Sequence, residues 1–197
     1  QRALVTGSCF EYDHSDGTIC EILTPLEPNN KYGEHKNKVF QYLKSMNKKQ
    51  GLSYAWARIY FTFGPGQKPN SLVPYVINSL KNNELVETTD GNQEYDYLYV
   101  KDVASAIIEI LKSSYVGAIN ISSGETIKLK DLIHKISKRF KKEHLIKSGV
   151  KERPKGSPDM VLGLNKILKR ETKWTRKYSI DEGLISTINY YNLKHGR

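Results

Sequence analysis

The chain has 197 residues, with 31 Lys+Arg against 21 Asp+Glu and a formal net charge of +10 at pH 7. That length allows one or two small domains with a sizeable core. No apolar run approaches the ~20 residues of a membrane-spanning helix, no signal-peptide pattern opens the chain, and Cys9, Cys20 and five scattered histidines (His14, His35, His134, His144, His195) fit neither a disulfide framework nor a metal site. A soluble cytoplasmic protein is expected.

Residues 2 to 9 read as a strand, followed by a loop with Pro25 and Pro28. An amphipathic helix is predicted from 32 to about 50, burying Val39, Phe40, Leu43 and Met46. Leu52 to Phe61 is the next strand, stopped by Gly64-Pro65-Gly66, and a helix runs from about Leu72 to Asn82. Glu84 to Thr88 and Tyr95 to Val100 flank a turn at Asp90-Gly91-Asn92 and read as a short hairpin. Asp102 is expected to cap a helix reaching about Lys112, and Ala118 to Ser122 forms a strand. Leu129, Leu132, Ile133, Ile136 and Phe140 fall at helical spacing, which turns Lys130, Lys135, Lys138 and Arg139 to solvent. A Gly/Pro-rich connection from Gly149 to Pro158 precedes a last helix from Asp181 towards Asn192. Strand–helix–strand order at the start predicts an α/β fold with a parallel, right-handed crossover.

The spacing Tyr-x-x-x-Lys occurs three times, at Tyr32/Lys36, Tyr97/Lys101 and Tyr190/Lys194. With 13 tyrosines and 31 basic residues, chance accounts for it. Context separates the first copy. The strand Arg2-Ala3-Leu4-Val5-Thr6-Gly7 delivers Ser8, and the helix beginning near Tyr32 sets Tyr32 and Lys36 one turn apart on one face. A hydroxyl, a phenol and an ammonium gathered in this way are what hydride transfer at a sugar alcohol requires.

Several runs then point to a family. Gly7-Ser8-Cys9-Phe10-Glu11-Tyr12-Asp13, Tyr32-Gly33-Glu34-His35-Lys36, Arg58 to Gly66, Tyr97 to Ala104, Gly117 to Gly124, Trp174 and Asp181-Glu182-Gly183-Leu184 fall in one order. That order resembles the extended short-chain dehydrogenase/reductases, the NAD-dependent epimerase/dehydratase group that modifies nucleotide sugars. The family's glycine-rich dinucleotide turn, Gly-x-Gly-x-x-Gly or Gly-x-x-Gly-x-x-Gly, does not occur in this sequence. The chain is therefore expected to represent the C-terminal part of such an enzyme. Residues 1–66 would be a partial Rossmann domain, and 67–197 mostly a smaller α/β substrate-binding domain, with 95–122 returning to the Rossmann sheet.

The resemblance implies Ser8, Tyr32 and Lys36 as catalytic residues. Tyr32, Lys36 and Tyr60 would face the cofactor, NAD or NADP, while Ser8, Leu72 and Arg153 would face a nucleotide-sugar substrate. A free Tyr has a pKa of about 10 and is a poor base at neutral pH; the Lys ammonium favours its phenolate. Three departures bear on the reaction. Cys9 and Phe10 stand where dehydratases carry an Asp-Glu pair, which disfavours water elimination. Tyr95 replaces an Arg that would pair with the diphosphate, leaving Arg153, and Phe61 replaces an Asn before the Gly-Pro turn. An epimerase or ketoreductase follows, with a non-enzymatic remnant or binding module as the alternative. Partners are expected to be the nucleotide sugar and a second copy or a complementary N-terminal chain. Nucleic acid is not, because no binding motif accompanies the basic charge, which suits an anionic substrate.

Overall fold

The computed structural model describes residues 2–194 (for Lys194, the backbone only); Gln1 and residues 195–197, His195 among them, lie outside it. In chain order the elements are β1 (Arg2–Ser8), a 3-10 turn (Cys9–Glu11), β2 (Thr18–Ile19), α1 (Lys31–Gln50), β3 (Ser53–Ile59), β4 (Phe61–Phe63) and α2 (Leu72–Lys81). Then follow β5 (Val86–Glu87), β6 (Glu94–Tyr95), β7 (Tyr97–Tyr99), α3 (Val100–Lys112), β8 (Gly117–Ile121) and β9 (Ile127–Lys128). α4 (Leu129–Phe140), β10 (Ile146–Lys147), β11 (Met160–Gly163), α5 (Lys166–Glu171) and α6 (Ile180–Lys194) complete the series.

A parallel sheet in the order β1-β3-β8 carries the first half of the molecule. Ala3 pairs with Tyr54 and Ser8 with Ile59, while Ile59 pairs in turn with Ile121. The expected parallel crossover is thus observed, and the sheet's carboxyl edge is marked by Ser8, Ile59 and Ile121. Asn30 starts α1 by accepting the Gly33 N–H at 2.9 Å, and Gly51 ends it in the left-handed region at φ 66°, as helix C-caps demand. Only a narrow stripe of α1 meets the sheet: Phe40 packs on Tyr54 and Trp56. Leu43 and Met46 are half-buried, and Val39 is 46 % exposed, against the sequence expectation. One residue turns a helix by about 100°, which carries Val39 off the stripe centred on Phe40.

The second half packs α2, α4 and α6 around Val76, Ile77, Leu80, Leu132, Ile133 and Ile136. Each such buried aliphatic contributes at most about 1.5–3 kcal/mol. The predicted hairpin is absent: β5 pairs with β10, and β6 pairs with β9 and β11, so the turn at 90–92 joins strands of different sheets. β11 also pairs with β2, giving the order β2-β11-β6-β9, and β4 pairs with β7. Asp102 is not a cap either. α3 begins at Val100, and the buried Asp102 carboxylate accepts the N–H groups of Lys177 (2.8 Å) and Tyr178 (3.1 Å), fastening the segment before α6. No helix among the described residues is long and apolar enough to cross a membrane.

Candidate active site

Gly7 lets β1 reach its end without collision, since a Cβ there would lie 2.3 Å from Trp56 Nε1. Ser8 then caps the 3-10 turn: its Oγ accepts from Phe10 N at 3.3 Å, and its own N–H donates to Glu11 Oε1 at 2.7 Å. This reciprocal capping box fixes the buried hydroxyl at the carboxyl edge of the sheet. Glu11, wholly buried, is the hub beneath it. Its carboxylate accepts from Trp56 Nε1 (2.8 Å) and Arg58 Nε (2.8 Å); Arg58 Nη1 donates to Tyr12 Oη (2.8 Å), which donates to Asn120 Oδ1 (2.9 Å). The network ties β1, β3 and β8 together just under Ser8. Sequence spacing gave no hint of it, because Glu11, in the 3-10 turn, and Arg58, on β3, lie far apart in the chain; the available signal was an Arg inside an otherwise apolar strand. Cys9 is buried too, and desolvation pushes its thiol up to about 12.

α1 lies directly against this turn. A Cβ on Gly33 would come within 2.0 Å of the Phe10 carbonyl oxygen, so a glycine is required after Tyr32. The Tyr32 ring is 54 % exposed and stands edge-on to Phe10, with centroids 6.5 Å apart. Lys36 Nζ lies 5.8 Å from the Tyr32 centroid and donates to the Thr6 carbonyl at 2.9 Å, two residues before Ser8. Lys36 thus reaches β1 two residues before Ser8, and Tyr32 stands beside Phe10, two residues after it.

Tyr60, Leu72 and Arg153, the other anticipated residues, have different surroundings. Tyr60 is buried with Cys9, Tyr12, Ile19 and Val161, and its hydroxyl has no partner among the described residues. Leu72 opens α2 against the second core. Arg153 pairs with Asp159 at 2.8 Å, while its Nε and Nη2 are buried without a partner among the described residues. Beside Tyr32 lies a cavity of about 280 Å³, lined by Phe10, His14, Asn29, Asn30, Phe61, Tyr95 and residues 155–158, which neither Leu72 nor Arg153 borders. Among the lining residues, Asn29 Nδ2 donates to the Gly156 carbonyl at 3.3 Å. Asp96, another residue the sequence left unmarked, accepts from Ser123 N, Gly124 N and Gly163 N, joining the segment after β8 to β11.

Comparison with known proteins agrees with this architecture. A model of the NAD dependent epimerase/dehydratase family matches residues 1–122. CDP-abequose synthase of Salmonella muenchen is 28 % identical over 130 residues, covering 64 % of this chain and 44 % of that protein. The low-salt glycan biosynthesis protein Agl12 of Haloferax volcanii is 25 % identical over 178 residues, covering 89 % and 56 %. The chain thus spans about half the length of these relatives. A UDP-N-acetylglucosamine 4-epimerase from Methanobrevibacter ruminantium M1, solved with UDP-N-acetylmuramic acid, superposes with a TM-score of 0.90 at 26 % identity, over 98 % of this chain and 63 % of that one. A UDP-glucuronic acid 4-epimerase from Bacillus cereus shares the fold at the same TM-score and 20 % identity. With more than half its residues inside the family match and a parallel sheet ending in Ser8, this chain belongs to the NAD dependent epimerase/dehydratase family, within the extended short-chain dehydrogenase/reductases.

Proposed function

We propose that the chain is the catalytic and substrate-binding part of an NAD(P)-dependent nucleotide-sugar epimerase or ketoreductase, with Tyr32 as its acid/base. The observation that carries this reading is the grouping of Ser8, Tyr32 and Lys36, with the Lys36 ammonium held near the Tyr32 ring by the Thr6 carbonyl. Tyr32 takes the proton of a sugar hydroxyl, or returns it to a ketone. Lys36 favours the phenolate by proximity of charge, and a displacement of roughly three pKa units corresponds to about 4 kcal/mol. Ser8 orients the reacting oxygen. Its Oγ already accepts one hydrogen bond from Phe10 and keeps its own proton to donate.

The residues present fit the nicotinamide and its ribose: Tyr32 is open to solvent, and Lys36 retains donors beyond the one given to Thr6. When bound, that cofactor accepts or supplies the hydride. No residue run here corresponds to the glycine-rich turn that holds the pyrophosphate. Without that turn, residues 1–197 by themselves are expected to be catalytically silent and to bind NAD or NADP weakly. Water elimination is not supported. Phe10 has no titratable group, the Cys9 thiol is buried, and Glu11 is committed to Arg58.

The test supplies a cofactor-binding half, fused or as a separate chain, and compares Tyr32 with Tyr32→Phe. Loss of hydride transfer, with nucleotide-sugar binding retained, is expected; unchanged turnover sinks the mechanism. Calorimetry of the 197-residue chain with NAD and NADP addresses the second claim, which stoichiometric micromolar binding overturns.

A further inference from the structure

We propose that the groove between the Ser123–Glu125 turn and the segment after α5 is a second anion site, which takes a diphosphate, free or carried by a nucleotide. It shares no lining residue with the cavity beside Tyr32 and is independent of the nucleotide-sugar reading. The chain's positive charge is unevenly placed. Residues 1–127 hold 12 Lys and Arg against 14 Asp and Glu, whereas residues 128–197 hold 19 against 7. Residues 166–177 alone hold six against one, Glu171.

The local fold decides where those cations stand. Trp174 is 3 % exposed and donates Nε1 to the Asp102 carbonyl at 3.1 Å, while Thr172 Oγ1 accepts the Trp174 N–H at 3.1 Å. Burying the indole leaves its neighbours Lys173 and Thr175 exposed. The facing turn is held as firmly, since Ser123 N and Gly124 N donate to the buried Asp96 carboxylate. Between them lies a groove of about 610 Å³, bordered by Ser123, Glu125, Lys169, Lys173, Thr175 and Arg176. Both walls keep their shape without a ligand, which spares part of the ordering cost of binding.

Charge in the groove does not balance. Lys169 and Lys173 are exposed, and their ammonium groups have no partner among the described residues. Arg176 Nη1 pairs with Glu125 at 3.1 Å, but Glu125 is 71 % exposed, so this pair contributes little and yields readily to a competing anion. Three cations thus face one carboxylate. A diphosphate concentrates several negative charges at that spacing and offers the guanidinium fork paired oxygen acceptors; Thr175 adds a hydroxyl donor on the same rim.

Calorimetric titration of the 197-residue chain with inorganic pyrophosphate and with ADP, at low ionic strength, tests the assignment. Lys169→Gln combined with Lys173→Gln should weaken binding by about tenfold or more, because each change removes a charge-assisted contact. Lys138→Gln combined with Lys147→Gln removes equal charge from exposed positions on α4 and β10 and should change binding by less than about threefold. Circular dichroism confirms the fold of both variants. Tighter binding of ADP assigns the diphosphate to a nucleotide; equal or tighter binding of pyrophosphate assigns it to the inorganic ion. The inference is overturned if neither probe binds, if binding survives in the Lys169/Lys173 variant, or if the Lys138/Lys147 variant loses as much.

Discussion

Replacing Glu11 by Gln tests whether the buried charge beneath Ser8 holds the sheet edge together. Gln keeps the volume and one carbonyl oxygen, so Ser8 N and Trp56 Nε1 still compete for an acceptor. What disappears is the negative charge facing Arg58, whose side chain is 1 % exposed and whose Nε approaches Glu11 to 2.8 Å. Removing one member of a buried ion pair typically costs about 3–5 kcal/mol, because the survivor remains desolvated without compensation. Arg58 is already under-satisfied, its Nη2 being buried without a partner among the described residues, so the upper half of that range applies. With a urea m-value of about 2 kcal/mol per molar, the midpoint should fall by roughly 2 M. Urea titration followed by tryptophan fluorescence is the natural assay, since Trp56 donates directly to Glu11. Adding Arg58→Met should recover most of the loss, because a buried pair exchanged for apolar groups is often near neutral. A loss below about 1 kcal/mol in Glu11→Gln, or a double variant no better than the single, refutes the reasoning.

Gly33→Ala should destabilise by about 1–3 kcal/mol through overpacking, because its Cβ would meet the Phe10 backbone; a thermal midpoint at or above the parent's counts against that contact. Burial lowers the His14 pKa, so the folded state disfavours the imidazolium: its stabilisation is complete above the unfolded value of about 6.5 and is lost as pH falls towards the folded value. His14→Gln should flatten the stability profile between about pH 7 and 5, which urea midpoints across that range would reveal. Iodoacetamide at pH 8 should label half-exposed Cys20 well before buried Cys9, as read by peptide mass spectrometry; equal labelling would contradict the burial of the Cys9 thiol.

The elements that place the candidate site were legible because they are local. Short strand-like runs marked β1 and β3, helical spacing found α1 and α4, and Tyr32 and Lys36 needed only one helical turn to meet. The misreadings share a different cause. Glu84 to Val100 looked like a hairpin because two strand-like runs flank Asp90-Gly91-Asn92, yet partners from residues 146–147 and 160–163 displaced that local pairing. Val39 had the right hydropathy for the core but the wrong angle on its helix. Asp102 resembled a cap until residues 177–178 arrived to use its carboxylate. The Glu11–Arg58 pair and the ring contacts of Phe61 with Phe10 and Tyr95 join segments far apart in sequence, so no single window contained them.

The pairing of β2 with β11 also sets a timetable. Ile19 and Tyr12 need Val161 as cover, and Leu162 and Gly163 are made long after Thr18 and Ile19. At translation rates of about 5–20 residues per second, the wait is on the order of ten seconds. The nascent chain can close β1 onto β3 early, but the cleft's far side, residues 155–158, emerges only just before β11. Until then Phe10 and Phe61 lack that cover, and the cleft they line is among the last places on the molecule to come into being.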